Sequence, residues 1–178
     1  MSAHSQGSGP RSNAYSGSKF TNWAGYQPFH SECDFALRRI AKSVPLEPER
    51  PAVVALPLHE GFRHPCCPEA VEWALAKLPP ATIAGLRAVL LLGGNQRQLD
   101  AWLKRSRLIR YGVYWRECIF LFAYPRGYWA NLDSLQDFFL KDVLVHEIGH
   151  HVDRHRDVDS RTKEGFANAF ARQYGRRL

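Results

Sequence analysis

The chain has no apolar run of roughly 18 residues, so it offers no membrane-spanning helix. Its first 30 residues also lack the hydrophobic core of a secretory signal. Rich in Ser, Gly and Asn instead, they are expected to form a disordered arm, with residues 31–178 making one domain. Cysteine is scarce. Cys33, Cys66, Cys67 and Cys118 form no CxxC pair, and adjacent Cys66 and Cys67 are awkward members of a disulfide framework. Free thiols in the cytoplasm are the expectation, with export by a non-classical route as the alternative. Methionine occurs once, at Met1. Acidic side chains number 17 against 24 Lys and Arg, giving a net charge of +7. Lys104, Arg105, Arg107, Arg110 and Arg116 lie beside Tyr111, Tyr114 and Trp115, a mixture able to meet nucleic acid. A solvated face flanking an aromatic strand is the preferred reading, and attraction of acidic substrates is a third.

What is present suffices for one sizeable core, at 45% apolar content in 178 residues. Glu32 to Ala41 reads as a short helix and Val44 to Pro51 as an extended, proline-spaced linker. Ala52 to Leu56 reads as a strand. Pro68 opens a helix with the buried stripe Val71, Ala74, Leu75 and Leu78, and Pro79-Pro80 stops it. Leu86 to Leu92 is a strand ended by Gly93-Gly94, followed by a helix from Gln96 to Lys104. Tyr111 to Trp115 and Cys118 to Tyr124, rich in aromatic and β-branched residues, form two strands joined at Arg116-Glu117. Pro125-Arg126-Gly127 then turns the chain.

The most informative stretch follows. From Asp133 to Val152 there is no proline, Asp133 and Ser134 are candidate caps, and Leu140, Leu144, Val145, Ile148 and Val152 supply an apolar side, so a helix is predicted. Within it His146-Glu147-Ile148-Gly149-His150 is an HExxH pattern. Residues four apart share a helical face, so His146 and His150 project together and can bind one zinc ion. Glu147, one residue round the helix, can reach a water activated by that ion and take its proton. His59, Glu60 and His64 are a decoy, because the histidines are five apart and bracketed by Pro57 and Pro65. A second metal site from His64, Cys66 and Cys67 matches no usual zinc spacing.

Catalytic zinc usually has three protein ligands. Candidates downstream are His151, Asp153, His155, Asp157, Asp159 and Glu164. On a continuing helix His151 lies about 100° round from His150 and His155 about 140°, so neither joins the pair. Glu164 fits better. Asp157 to Ser160 reads as a turn, and Arg161 to Tyr174 as a helix on which Glu164, Ala167, Asn168 and Ala171 share a face. The alanines there favour close approach to the first helix.

HExxH followed by a glutamate on a later helix resembles the gluzincin metallopeptidases, with short-spaced, lethal-factor-like members and compact repressor-cleaving peptidases nearest. The resemblance covers roughly Leu86 to Leu178. A metzincin pattern is absent, since Arg156 stands where its third histidine falls and no methionine turn exists. The resemblance implies a small α+β zincin-like domain, with a mixed or antiparallel sheet packed on the HExxH helix and a C-terminal helix carrying Glu164. It implies one Zn2+ per chain held by His146, His150 and Glu164, with Glu147 as general base and Asn168 supporting a ligating histidine. It also implies that Gly112, Val113, Tyr114 and Trp115 are the edge strand to which an extended peptide or protein substrate adds, Gly112 admitting its backbone. The plain alternative is an ordinary hairpin. Tyr128, His151, His155 and Tyr174 are the candidates for stabilising the oxyanion. The expected function is zinc-dependent peptide hydrolysis, with a catalytically weak or inactive zincin-fold protein binding nucleic acid or a protein partner as the rival.

Overall fold

The computed structural model describes residues 28–40, 44, 49–95, 111–127, 131–154 and 157–178. The expected arm up to residue 27, residues 45–48 of the linker and the helix expected from Gln96 to Lys104 lie outside them, as do Lys104, Arg105, Arg107 and Arg110 of the basic cluster. Helix α1 (Pro28–Ile40) begins four residues before the expected Glu32, and so inside the expected arm. Its first residue is a proline, whose fixed φ suits the first helical position. Strand β1 (Ala52–Ala55) follows as expected, then a two-residue strand β2 (Phe62–Arg63) too short for any periodicity to announce. Helix α2 (Pro68–Lys77) buries Val71, Ala74 and Leu75. Pro79-Pro80 ends it but also starts a single further turn, α3 (Pro80–Ile83), because proline at a first helical position gives up no needed N–H.

Strands β3 (Ala88–Leu91), β4 (Gly112–Trp115) and β5 (Cys118–Leu121) complete a four-stranded sheet of order β1-β3-β5-β4. β1, β3 and β5 are parallel, and β4 runs antiparallel to β5 at one edge. The sheet is therefore mixed. Strand β6 (Tyr124–Pro125) leaves the β5 line to pair with β2. The β4–β5 turn is a two-residue hairpin with Arg116 at φ 50° and Glu117 at φ 54°, a left-handed pair normally filled by Asn-Gly. Contacts around it hold it there: Trp115 Nε1 donates to Asp34 of α1 at 3.3 Å, and the Glu117 carbonyl accepts from Arg87 N–H at 2.7 Å.

Beyond the sheet, one rod runs from 132 to 152. It comprises α4 (Leu132–Asp137), a π-helical segment (Phe138–Leu144) and α5 (Val145–Val152). Its cap is Asn131, whose side chain accepts from the N–H groups of Asp133 and Ser134, so the two expected caps sit inside the first turn. Asp159 caps α6 (Ser160–Tyr174), accepting from Thr162 N–H at 3.0 Å. A 3-10 turn (Gly175–Arg177) closes the chain against the π segment, where a side chain at Gly175 would collide with the Lys141 carbonyl.

Strand alternation assigns the two sheet faces. Val89, Leu91, Ile119 and Leu121 meet α2, the rod and Phe170 of α6. Ala88, Leu90, Cys118, Phe120 and Phe122 meet Cys33, Ala36 and Ile40 of α1. The domain is thus a mixed α+β sandwich with helices on both faces, and the rod lies under the β4 edge.

Replacing Arg116-Glu117 by Asn-Gly should stabilise the fold by roughly 1–2 kcal/mol, because two non-glycine residues leave the left-handed region. The exposed Arg116–Asp34 contact at 3.7 Å that is lost contributes little. A melting temperature that falls instead would show that this contact outweighs the strain.

Candidate metal centre

The two histidines of the pentapeptide sit one turn apart on α5, their rings edge to face at 4.7 Å between centroids. Glu164 reaches them from the first turns of α6. Its Oε2 lies 3.4 Å from His146 Nε2, its Oε1 3.4 Å from His150 Nε2, and the two Nε2 atoms are 3.1 Å apart. Among the described residues this is the one group of three His, Cys, Asp or Glu side chains with the closeness a metal ion requires.

Tetrahedral zinc with bonds of about 2.0–2.1 Å needs donor atoms roughly 3.3 Å apart. The nitrogen pair lies close to that figure and each imidazole has one Glu164 oxygen at 3.4 Å, a different oxygen in each case, so the donor set suits an ion of zinc's size. Two imidazoles and one carboxylate also leave a fourth position for a reactant. The histidine side chains are 18% and 20% exposed and that of Glu164 is 45% exposed, so the cluster opens to solvent on the glutamate side.

The convergence depends on residues the motif leaves unspecified. A Cβ at Gly149 would lie 2.8 Å from Ala167 Cα and 3.2 Å from Ala167 Cβ. Glycine and alanine together let α6 lie against α5, as the alanine face of α6 leads one to expect. Asn168, on that same face, lies close enough to His146 to help raise its imidazole.

Electrostatics separate the two glutamates. Hydrogen bonds from His146 and then His150 hold the Glu164 carboxyl far below the usual carboxylate range, against its partial burial. Burial lowers the His146 imidazole, but its hydrogen bond to Glu164 and the charges of Glu147 and Glu164 outweigh that and raise it. Glu147 is 8% exposed, and burial pushes its carboxyl up despite the two histidines and the N–H of Tyr114, which donates to Oε2 at 2.8 Å. Such a carboxylate is poised to take a proton.

The hairpin places Gly112 to Trp115 at the sheet edge beside α5. The space over Gly112 is already used: a Cβ there would lie 2.8 Å from Val143 Cγ1 and 3.1 Å from Glu147 Cγ. Glycine at 112 seats the rod, which corrects the expectation that it is there to admit a substrate backbone. Val113 and Trp115 pack towards α1, on the opposite face from Tyr114.

The oxyanion candidates fare differently. His151 is fully buried, with Nε2 2.9 Å from the Ala84 carbonyl and Nδ1 3.2 Å from the Tyr114 hydroxyl, and so is committed elsewhere. Tyr174 stacks on Phe170 at 4.4 Å, ten residues and about 15 Å along α6 from Glu164. Tyr128 and His155 lie outside the described residues. His64, Cys66 and Cys67 line a separate cavity with Arg63, Tyr124 and Asp133, and burial pushes the Cys66 thiol up to about 12, which keeps it protonated. They form no metal cluster.

Comparisons with protein-family models, curated proteins and solved structures give no match.

Gly149→Ala should push α6 away and destabilise the fold by about 1–3 kcal/mol. Zinc affinity should drop with it, measured by chelator competition. An unchanged affinity would mean that the helices tolerate wider spacing without moving Glu164. Zinc binding should also weaken as pH falls through the imidazole range, because each proton displaced costs up to about tenfold in affinity per pH unit.

Proposed function

We propose that this chain is a zinc-dependent peptidase of minimal gluzincin type. The observation that carries the reading is the donor set of His146, His150 and Glu164 at 3.1–3.4 Å separations, with the Glu147 carboxylate buried beside it. The fold supports it: the antiparallel pair of β4 and β5 precedes the motif helix, similar to the zincin arrangement that the sequence resembles.

His146, His150 and Glu164 would hold the zinc. When bound, zinc supplies Lewis acidity to the attacking water and to the scissile carbonyl. Glu147 accepts a proton from that water and passes it to the departing amine nitrogen, so one carboxylate serves both halves of the reaction. Its raised pKa makes the carboxylate a stronger base for the first transfer and keeps the acid protonated until the more basic departing amine takes the proton. Asn168, beside His146, would steady that ring.

An extended peptide is the substrate this edge best accommodates. The Phe122 N–H to Tyr111 carbonyl bond of 2.9 Å sets the alternation of the β4–β5 ladder, so the backbone groups of Gly112 and Tyr114 point away from β5. A substrate strand would bond to the outward carbonyls of Gly112 and Tyr114, since Glu147 holds the Tyr114 N–H.

Elemental analysis of purified protein should find one zinc per chain, reduced in His146→Ala and Glu164→Ala. A fluorogenic peptide library should then reveal cleavage. Glu147→Gln should retain zinc while kcat falls by at least about 100-fold. Cleavage that persists in Glu147→Gln would remove the assigned base, and protein that takes up no zinc would remove the peptidase reading itself.

A further inference from the structure

Glu147 and His151 stand four residues apart on α5, so they share a face just as His146 and His150 share the neighbouring one. The histidine pair faces Glu164. The other pair faces a single residue, Tyr114 of the edge strand. Its backbone N–H donates to Glu147 Oε2 at 2.8 Å, and its hydroxyl lies 3.2 Å from His151 Nδ1.

His151's other nitrogen, Nε2, is 2.9 Å from the Ala84 carbonyl and 3.1 Å from the Arg154 guanidinium, so both ring nitrogens are held by polar partners. Arg154 adds a bond from its guanidinium to the His151 carbonyl at 2.8 Å, fastening the end of the helix. A continuous chain of polar contacts thus runs from Tyr114 through His151 to the α3–β3 turn, and it is buried at its centre.

We propose that Tyr114 is the positioning residue for the general base. Its side chain, locked by His151, fixes β4 along the helix so that its own N–H meets the Glu147 carboxylate and points that group at the metal face. This inference rests on the peptidase reading, and two features make it specific to this tyrosine. Phenylalanine would fill the same space without the hydroxyl. Moreover, the Tyr114 N–H is the outward backbone donor that Glu147 engages, so a shift of β4 by one residue would present a carbonyl or an inward group instead.

The test uses zinc-loaded full-length protein and two probes. The first is acetohydroxamate, which chelates zinc and gives up its hydroxyl proton to a base beside the metal; its affinity is read by calorimetry. The second is the best peptide from the library screen. Tyr114→Phe should keep one zinc per chain and weaken acetohydroxamate by about tenfold, with kcat falling by a similar factor and KM changing by less than about twofold. Replacing the Tyr114 residue by its α-hydroxy acid analogue, which removes only the backbone N–H, should produce the same pattern and guards against misfolding of the side-chain variant. Full acetohydroxamate affinity in both variants would overturn the proposal. If the wild-type protein binds zinc and acetohydroxamate but cleaves no peptide, the peptidase reading fails while the acetohydroxamate comparison still decides the role of Tyr114.

Discussion

Everything at the centre depends on how closely α5 and α6 approach. Two histidines on one helix define only an edge of a coordination polyhedron, and the third donor must come from outside it. Gly149 and Ala167 remove the side-chain bulk that would hold the helices apart. Glu164 then falls within 3.4 Å of both rings. The apolar contacts of Ile148 and Phe170 within the same core hold that spacing from behind. Polar donors are thus gathered by a packing event, and the hydrophobic effect supplies the force that keeps like-charged or neutral rings in contact.

The centre also illustrates how one residue type takes two roles. Glu164 is half open and flanked by imidazoles, and so stays ionised as a metal ligand needs. Glu147 is buried against a strand edge, and desolvation raises its carboxyl. The difference comes from the elements that carry them. Glu147 lies on the sheet side of α5, where the backbone of β4 replaces water. Glu164 lies on the first turns of α6, where the chain has just left the solvent.

Much of this was legible in the sequence because the chemistry uses side chains at helical spacing. His146, Glu147 and His150 are a fixed pattern, and Glu164 follows from the small-residue face it shares with Ala167 and Ala171. The two β strands around Arg116-Glu117 are equally plain. Other features leave no such trace. A π-helical segment shifts the bonding by one residue while Phe139, Leu140, Val143 and Leu144 keep an almost helical apolar pattern, so its register is invisible. Asn131 was hidden by better-placed competitors, Asp133 and Ser134. The importance of Gly149 was masked because the motif treats it as a spacer. Least visible of all is the Tyr114 N–H, since every residue but proline has one.

The engagement of that N–H bears on the solubility of the chain. An unpaired strand edge is a template for other strands, and repeated pairing there leads to aggregates. β4 is such an edge among the described residues, and its Gly112 and Tyr114 groups face outward. A strand arriving from another molecule must bring a carbonyl oxygen to Tyr114, where it meets the carboxylate of Glu147. That repulsion, and the loss of the existing bond, work against sheet extension at the middle of the edge. The glutamate assigned to the proposed reaction would therefore also hinder polymerisation through this edge.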